Sequence, residues 1–469
     1  MWFLLKRNLI LSPQNLKFAG SFFPKDPEAM HQLMDGFDAE LHQELTAKDS
    51  SPIAIIAPHA GYQFSGQLAA TAYASCRGQM PKQIVILSPS HRCAFDGIAV
   101  AGYQAYEVAG RVLTVNEHLR ADLVKRGFVQ QNNTAHNEEH GIETQLPFIS
   151  RHFDGAQVLP LVIGKTTPQA VSAVIDHIVS ILQEKLLFVL SSDLSHFHSH
   201  ETAQKLDGEA ASLIETGQRD KLGPKQACGY MAIVGFLASG VGRNARASRL
   251  AMADSFAVTQ DANRVVGYVA WAFFPPDCEI LPQEQRETIL RVARQGTGMF
   301  LKAGRHPKIM LNSFAMPLRG YIPSFITFTH NDRLRGCIGS LAPCAPLISD
   351  VVTNGIKAAT GDTRFTPLQT GEQLAQLRLK VAVLSHTIEL AFTDQDDLLS
   401  QMIPGVSGLI LQFRTRRSTF LPMVWDSLPD RQNFLNGLKL KAGLPTDFWS
   451  EEIKIMQFQA ESFSDSHKI

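Results

Sequence analysis

The sequence predicts an α/β protein of two domains, the first built on a mainly parallel sheet. Three observations point there. At 469 residues the chain exceeds what a single hydrophobic core usually organises. From about Lys17 to Pro275, short apolar runs alternate with helical patterns, as expected where helices cross between strands. Several of these runs are apolar throughout, as strands covered on both faces are.

Taken in order, the opening MWFLLKRNLILSPQN reads as a loose leader, because Lys6 and Arg7 interrupt its apolar run and no small-residue cleavage site follows. Candidate strands are Ile53 to Ala57, Ile84 to Leu87, Val158 to Ile163, Leu187 to Leu190 and Val266 to Phe273. Three of them run straight into polar segments: Pro58-His59-Ala60-Gly61, Ser88-Pro89-Ser90-His91 and Ser191-Ser192-Asp193-Leu194-Ser195-His196. Ligands of open α/β sheets bind at the carboxyl ends of strands, so these loops can share one crevice. The Pro-rich PPDCEILPQEQ then marks a boundary near 276 to 283, and a new helical pattern runs through Ile289, Leu290, Val292 and Ala293. Beyond it, Phe325 to Thr329, Leu379 to Leu384 and Gly408 to Phe413 read as strands among helices, with few histidines after them.

Composition excludes several function classes. Forty-four Lys and Arg against 44 Asp and Glu leave no positive excess for a phosphate backbone or an anionic membrane, so neither nucleic acid nor membrane is an expected partner. Arg414, Arg416 and Arg417 read as a solvated face. No apolar stretch approaches the length of a membrane span. The six cysteines form no CxxC pair, which disfavours a disulfide framework or a four-thiolate zinc site and fits reduced thiols in a cytoplasmic protein.

A metal that performs chemistry needs imidazole, thiolate or carboxylate donors converging from separate elements, with an open position for water or substrate. His59, His91, His136, His140, Asp193, His196, His198, His200 and Cys228 are the candidates in the first domain. No HExxH-type signature is present, so the fold must bring any ligands together. Each candidate also has a structural reading. A strand-end histidine can simply be hydrogen-bonded, Cys228 beside Gly229 can be a small buried residue, and His198 and His200 can be solvated residues at a helix start capped by Asp193 or Ser195.

FAGSFFP (18 to 24), APHAGYQFSG (57 to 66), LSPSH (87 to 91), EHGIETQLPF (139 to 148), SSDLSHF (191 to 197) and ACGYMAI (227 to 233) together resemble the Memo family, also called AmmeMemoRadiSam system protein B. The resemblance spans about residues 17 to 275. It implies the fold of the class III extradiol ring-cleavage dioxygenases, which use non-haem ferrous iron. It also implies His59, His91 and Cys228 as metal ligands, with Asp193, His196, His140 and Glu143 in the same pocket as the catalytic set. On this reading Asp193 or Glu143 orients a ligand histidine through its second nitrogen, and His196 or His140 moves a proton. The implied cofactor is Fe(2+), with copper or zinc also suited to two imidazoles and a thiolate.

Cys228 stands where ring cleavage calls for a carboxylate, which speaks against that particular activity. The expected function is therefore a metal-dependent, non-haem iron redox or dioxygenase-like protein. The alternative is a non-catalytic module that recognises a peptide or a small anion, and a zinc hydrolase is a third reading.

In the second half, RLRGCIGS (333 to 340) suggests a close-packed strand passage at Gly336 and Gly339. Joined to GDTRF (361 to 365), LRLKVAVLS (377 to 385), PGVSGLILQF (404 to 413), TFLPMVWDSLPD (419 to 430) and FLNGLKLKAGLP (434 to 445), it resembles the AMMECR domain, or AmmeMemoRadiSam system protein A, over about 284 to 465. This implies an α/β domain with an antiparallel sheet. Arg335 and Cys337, two apart on a strand, share a face, so the guanidinium could activate the thiol; a buried strand cysteine is the competing reading. Asp362 and Arg364 read as a structural pair, and Pro422 and Trp425 as packing. Fusion of the two families in one chain implies a common pathway, with a radical SAM protein as the expected associate.

Overall fold

The structure, a computed structural model, describes residues 13–41, 51–182, 185–276 and 278–465. The first twelve residues of the expected leader lie outside these. Internal contacts divide the chain into two units, the first made mainly of the residues up to Phe274 and the second of those from Pro275 on together with Ala211–Gln218. Among the described residues no helix is long and apolar enough to cross a membrane.

In the first unit the apolar runs become strands whose side chains are almost wholly buried. These are β1 (Ala54–Ala57), followed by α1 (Tyr62–Ala74), then β2 (Gln83–Pro89), β3 (Gln157–Ile163) and β4 (Leu186–Ser191). After them come α2 (Tyr230–Ala238), β5 (Arg246–Asp254) and β6 (Val265–Phe274). The four central strands lie in the order β1–β4–β2–β3 and all pair in parallel. With β-branched and aliphatic side chains on both faces, they are sandwiched between helices, as parallel strands must be.

The expected strand Val266 to Phe273 forms, but it runs antiparallel to β1. The reason is its approach. It follows β5 as an antiparallel partner, Arg246 opposite Phe274, and a strand entered by such a return runs opposite to those reached by helical crossovers. Strand β5 escaped the sequence reading because Arg246, Arg249 and Asp254 break its apolar pattern.

Parallel pairing decides where the loops go. Ala57 lies opposite Ser191 and Leu87 opposite Leu190, so β1, β4 and β2 end level, on one edge of the sheet. The segments that leave them, carrying His59, Asp193 and His91, therefore emerge side by side.

The second unit opens with α3 (Gln283–Ala303) and holds two four-stranded sheets with antiparallel pairing throughout. One sheet is formed by β7 (Ser324–His330) and β8 (Arg333–Gly339), then, after α4 (Leu347–Thr360), by β9 (Arg378–Leu384) and a C-terminal strand, Ala460–Ser464. The other is built on β10 (Gly408–Phe413), β11 (Arg416–Phe420) and, after α5 (Arg431–Lys441), β12 (Lys454–Phe458), with Ile388–Glu389 at its edge.

Motifs of this unit resolve into packing. A Cβ on Gly336 would stand 2.1 Å from the Ala358 carbonyl of α4, and one on Gly339 would run into the Phe325 ring, so the strand passage is close-packed as expected. Asp362 accepts from the Cys337 N–H at 2.8 Å while Arg364 pairs with Asp362 and donates to the Cys337 carbonyl, which covers the backbone of this edge strand. Arg335 donates to the Thr366 carbonyl and lies over the Phe365 ring, and the contact made to Cys337 Sγ comes instead from the Thr327 hydroxyl, 3.2 Å away. Trp425 is buried, stacks on Phe434 at 3.8 Å and donates its indole N–H to Ser407.

Candidate metal centre

The site begins at the level ends of β1, β4 and β2. His59, two residues past β1, is almost completely buried. Its Nδ1 lies 2.9 Å from the Ser191 hydroxyl. That hydroxyl donates its proton to the Gly141 carbonyl at 2.6 Å and accepts from the Gln145 amide at 3.1 Å, so towards His59 it can only accept. The proton of the neutral imidazole therefore sits on Nδ1, and the Nε2 lone pair is left facing the cluster. Burial, then the neighbouring His91 and His140 rings, hold His59 well below the ordinary histidine range, so the ring is neutral at physiological pH.

His91, at the end of β2, is fixed by a different group. Glu139, fully buried, accepts from His91 Nδ1 at 2.8 Å, from the His91 backbone N–H at 2.8 Å and from the Gly141 N–H at 2.8 Å. Burial alone would raise this carboxyl, but the His91 hydrogen bonds and charge outweigh it and hold Glu139 below the usual range. An ionised Glu139 requires a proton on His91 Nδ1, which again leaves Nε2 unencumbered.

The third donor arrives from α2. A Cβ on Gly229 would stand 2.6 Å from both the Ser191 carbonyl and Ser192 Cβ, so only glycine lets this chain lie against the end of β4. That contact carries the preceding residue, Cys228, to 3.3 Å from His59 Nε2. The Asp193 N–H points at the sulfur from 3.3 Å. Burial, followed by the charge of Asp193, pushes the Cys228 thiol far up, and a bound cation is what converts such a thiol to a ligand. One ligand atom each from His59, His91 and Cys228 lies within 4.8 Å of the others, a spacing that suits a common ion.

The other expected residues surround this trio in different ways. Asp193 accepts from the His59 backbone N–H at 2.8 Å, with its second oxygen 3.9 Å from His59 Nε2, and burial raises it to about 7. His196 donates from Nδ1 to the Leu194 carbonyl, 2.8 Å away, so Nδ1 carries the proton. Burial lowers the His196 ring below the ordinary range. His140 packs at a centroid distance of 4.5 Å from His91 and 4.8 Å from Phe22, its buried Nδ1 has no hydrogen-bond partner among the described residues, with Glu139 Oε1 3.6 Å away, and burial with the His91 charge lowers it to about 4.

Glu143 does something else. Its carboxylate accepts from the backbone N–H of Lys17 at 3.0 Å and of Phe18 at 2.8 Å, fastening the FAGSFF segment beside the pocket. The orienting role expected of Asp193 or Glu143 belongs to Ser191 for His59 and to Glu139 for His91. Asp193 instead binds main chain, its Oδ1 accepting from the His59 N–H.

Sequence reasoning did not single out Ser191 or Glu139. Each stood inside a quoted motif, and the signal was an acceptor next to a histidine-bearing segment. His136 lies apart, buried, with Nε2 3.0 Å from the Ala99 carbonyl. His200 begins the helix His200–Glu215 and pairs with Asp254 at 2.7 Å; Ser199, rather than Asp193 or Ser195, precedes that helix and receives the Thr202 N–H.

Comparison with known proteins follows the same division. A sequence model described as Memo-like protein matches residues 14–272, and one described as AMMECR1 matches residues 290–463. A MEMO1 family protein of Aquifex aeolicus is 30% identical over 267 residues, covering 54% of this chain and 97% of that relative. Protein MK0488 of Methanopyrus kandleri is 32% identical over 195 residues, 40% of this chain and 91% of its own length. Among solved structures, an uncharacterized protein, PH0010, from Pyrococcus horikoshii is 28% identical and covers 39% of this chain and 93% of its own, with a TM-score of 0.37.

Proposed function

The chain belongs to the Memo-like protein family and carries an AMMECR1 domain, and from that premise we propose that its first unit is a metal-dependent redox protein of the non-haem iron, dioxygenase-like kind. His59 Nε2, His91 Nε2 and Cys228 Sγ hold the ion. The observation that carries this reading is the pair of fixed tautomers: Ser191 and Glu139 each occupy the Nδ1 side of a histidine and leave its Nε2 lone pair free, with His59 Nε2 3.3 Å from the Cys228 sulfur and one ligand atom of each of the three residues within 4.8 Å of the others. A structural histidine needs only one satisfied nitrogen, whereas two that each keep a free nitrogen beside a common thiol describe a donor set.

Two imidazoles and one thiolate favour ferrous iron over a hard ion such as magnesium and leave an open face for substrate. Bound there, iron would supply an electrophilic and redox-active centre. The chain supplies the rest. His196 and His140, both neutral at pH 7, accept protons at the edge of the cluster; Asp193, raised to about 7, exchanges a proton in the same range. The Phe18 and Phe22 rings, edge-on at 5.2 Å, pack against His140 and exclude water from that side. The second unit and a radical SAM protein are the proposed associates in one pathway.

Elemental analysis of anaerobically purified protein tests the centre. About one iron per chain is expected, lost in His59→Ala and His91→Ala; full occupancy in both variants overturns the assignment, and zinc alone overturns the redox part. Oxygen consumption with catechol-type substrates under reducing conditions tests turnover. Tight ligand binding with no oxygen uptake would replace the enzyme by the binding-module reading.

A further inference from the structure

A second cavity in the first unit shares no residue with the histidine cluster. It has a volume of about 320 Å³ and lies between the helix Pro27–Ala39, the helix Leu146–His152 and the hairpin Ala105–Thr114. Its floor is apolar: Met30 and Met34, each 3% exposed, with Pro147. Its walls carry three guanidinium groups, from Arg77, Arg111 and Arg151, against the single lining carboxylate of Asp38.

The charges are held in place. Asp38 receives Arg77 Nη2 on one oxygen at 2.8 Å and Arg151 Nη2 on the other at 2.7 Å, which locks both guanidinium groups on opposite sides of one acid. Asp35, which also pairs with Arg151, is mostly exposed and lies outside the cavity lining. Arg111 has no acid. The tight turn at Ala109 and Gly110, both with positive φ, places it at the start of the returning strand, and its Nη1 donates to the Ser150 carbonyl at 2.9 Å. A carbonyl leaves the charge of Arg111 uncompensated, so the three guanidinium groups of the lining exceed its one carboxylate by two charges, which Asp35 beside Arg151 partly offsets.

We propose that this cavity binds a small organic dianion, a phosphate monoester or a dicarboxylate, that carries an apolar body. Arginines held by a shared carboxylate present planar, pre-ordered donors suited to paired anionic oxygens. The apolar body follows from the floor, which continues through Met30, Ala109 and Pro147 into an adjoining cavity of about 290 Å³ lined by Leu16, Phe23, Pro24 and Val108 as well as by Asn15, Lys25 and Glu107. Head and body thus have separate, contiguous seats.

Calorimetric titration of the full chain, stripped of metal by chelator, uses phenyl phosphate, phthalate, benzoate and inorganic phosphate. Phenyl phosphate or phthalate binds, and whichever binds identifies the head group as phosphate or carboxylate. Benzoate, with one charge, and inorganic phosphate, with no body, bind about tenfold more weakly or worse. Arg111→Gln, which keeps a donor for Ser150, weakens the bound probe by about tenfold; Arg77→Gln, at a half-exposed side chain, does likewise should the first variant fold poorly. His91→Ala leaves the affinity unchanged. Failure of both dianions to bind, equal binding by the arginine variants, or loss of binding in His91→Ala overturns the proposal.

Discussion

Ser191 and His59 form a one-way hydrogen bond: the serine hydroxyl, already donating to Gly141, can only accept from His59 Nδ1, 2.9 Å away. One hydroxyl thereby selects which imidazole nitrogen faces Cys228. Ser191→Ala removes the selection and also leaves the Gln145 amide and the Gly141 carbonyl short of a partner. Metal affinity is expected to fall by about 10- to 100-fold, with stability lower by about 1–3 kcal/mol from the unsatisfied buried groups. Metal titration and thermal denaturation of the same protein check the two separately; unchanged affinity would mean that His59 is positioned by packing alone.

Glu139→Gln tests the second histidine. The carboxylate accepts three N–H donors, and an amide must turn its NH2 towards one of them, either at the His91 backbone or on the Nδ1 side. The expected loss in metal affinity is again about 10- to 100-fold. Glu143→Gln, by contrast, sits on the backbone of Lys17 and Phe18 and should leave metal affinity within about threefold, since no ligand histidine leans on it. Parallel metal titrations of the two variants decide which acid supports the cluster.

Much of this arrangement was legible in the residues, and the part that was not has a physical cause. Strands β1 to β4 announce themselves because both faces are apolar, and their parallel pairing follows from the helical patterns between them. That fixes the neighbourhood of His59, His91 and Asp193. Strand β5 hides behind its arginines, and β6 reads like its parallel neighbours although it runs the other way, since pairing direction leaves no mark on an apolar run. At the site, ligand-type residues stand out by chemistry. Their supports do not. Ser191 differs from Ser192 in nothing a sequence displays, and Glu139 was one acid among Glu138, Glu139 and Glu143 until the structure separated them: Glu139 is buried against His91, Glu143 is buried against the backbone of Lys17 and Phe18, and Glu138 pairs with Lys17 at the surface.

Cys228→Asp converts the cluster to two histidines and one carboxylate. The shorter, harder donor should weaken binding of soft ions such as cuprous copper by more than that of ferrous iron. Competition between the two ions, measured in wild type and variant, checks this. A variant that shifts selectivity towards copper would show that the sulfur does not reach the ion.

His136 provides a pH test independent of metal. Burial lowers it to about 4, while its unfolded value is near the ordinary 6.5, so between these limits the unfolded chain binds more protons. Its contribution to stability is full above pH 6.5 and is lost as pH falls towards 4. The total is of order 3 kcal/mol. Asp193 and Asp207, raised by burial to about 7 and about 6, act in the opposite sense, since their contribution is present at low pH and lost as pH rises. Only a difference isolates the histidine. His136→Gln retains a donor for the Ala99 carbonyl, and its melting temperature relative to wild type should therefore rise as pH is lowered from 6.5 to 4; a constant difference refutes the assignment.

Gly229→Ala separates delivery of the sulfur from its chemistry. The added methyl would meet the Ser191 carbonyl and the Ser192 side chain, each at 2.6 Å, and the backbone there cannot give way without moving the end of β4. Steric relief must come from the start of α2, which draws Cys228 away from His59. The expected result is a folded protein destabilised by about 1–3 kcal/mol, with His59 and His91 intact and metal affinity reduced as much as in Cys228→Ser. Comparison of the two variants by metal titration decides the matter: wild-type affinity in Gly229→Ala would mean that the loop absorbs the methyl elsewhere and that close approach to β4 does not place the thiol.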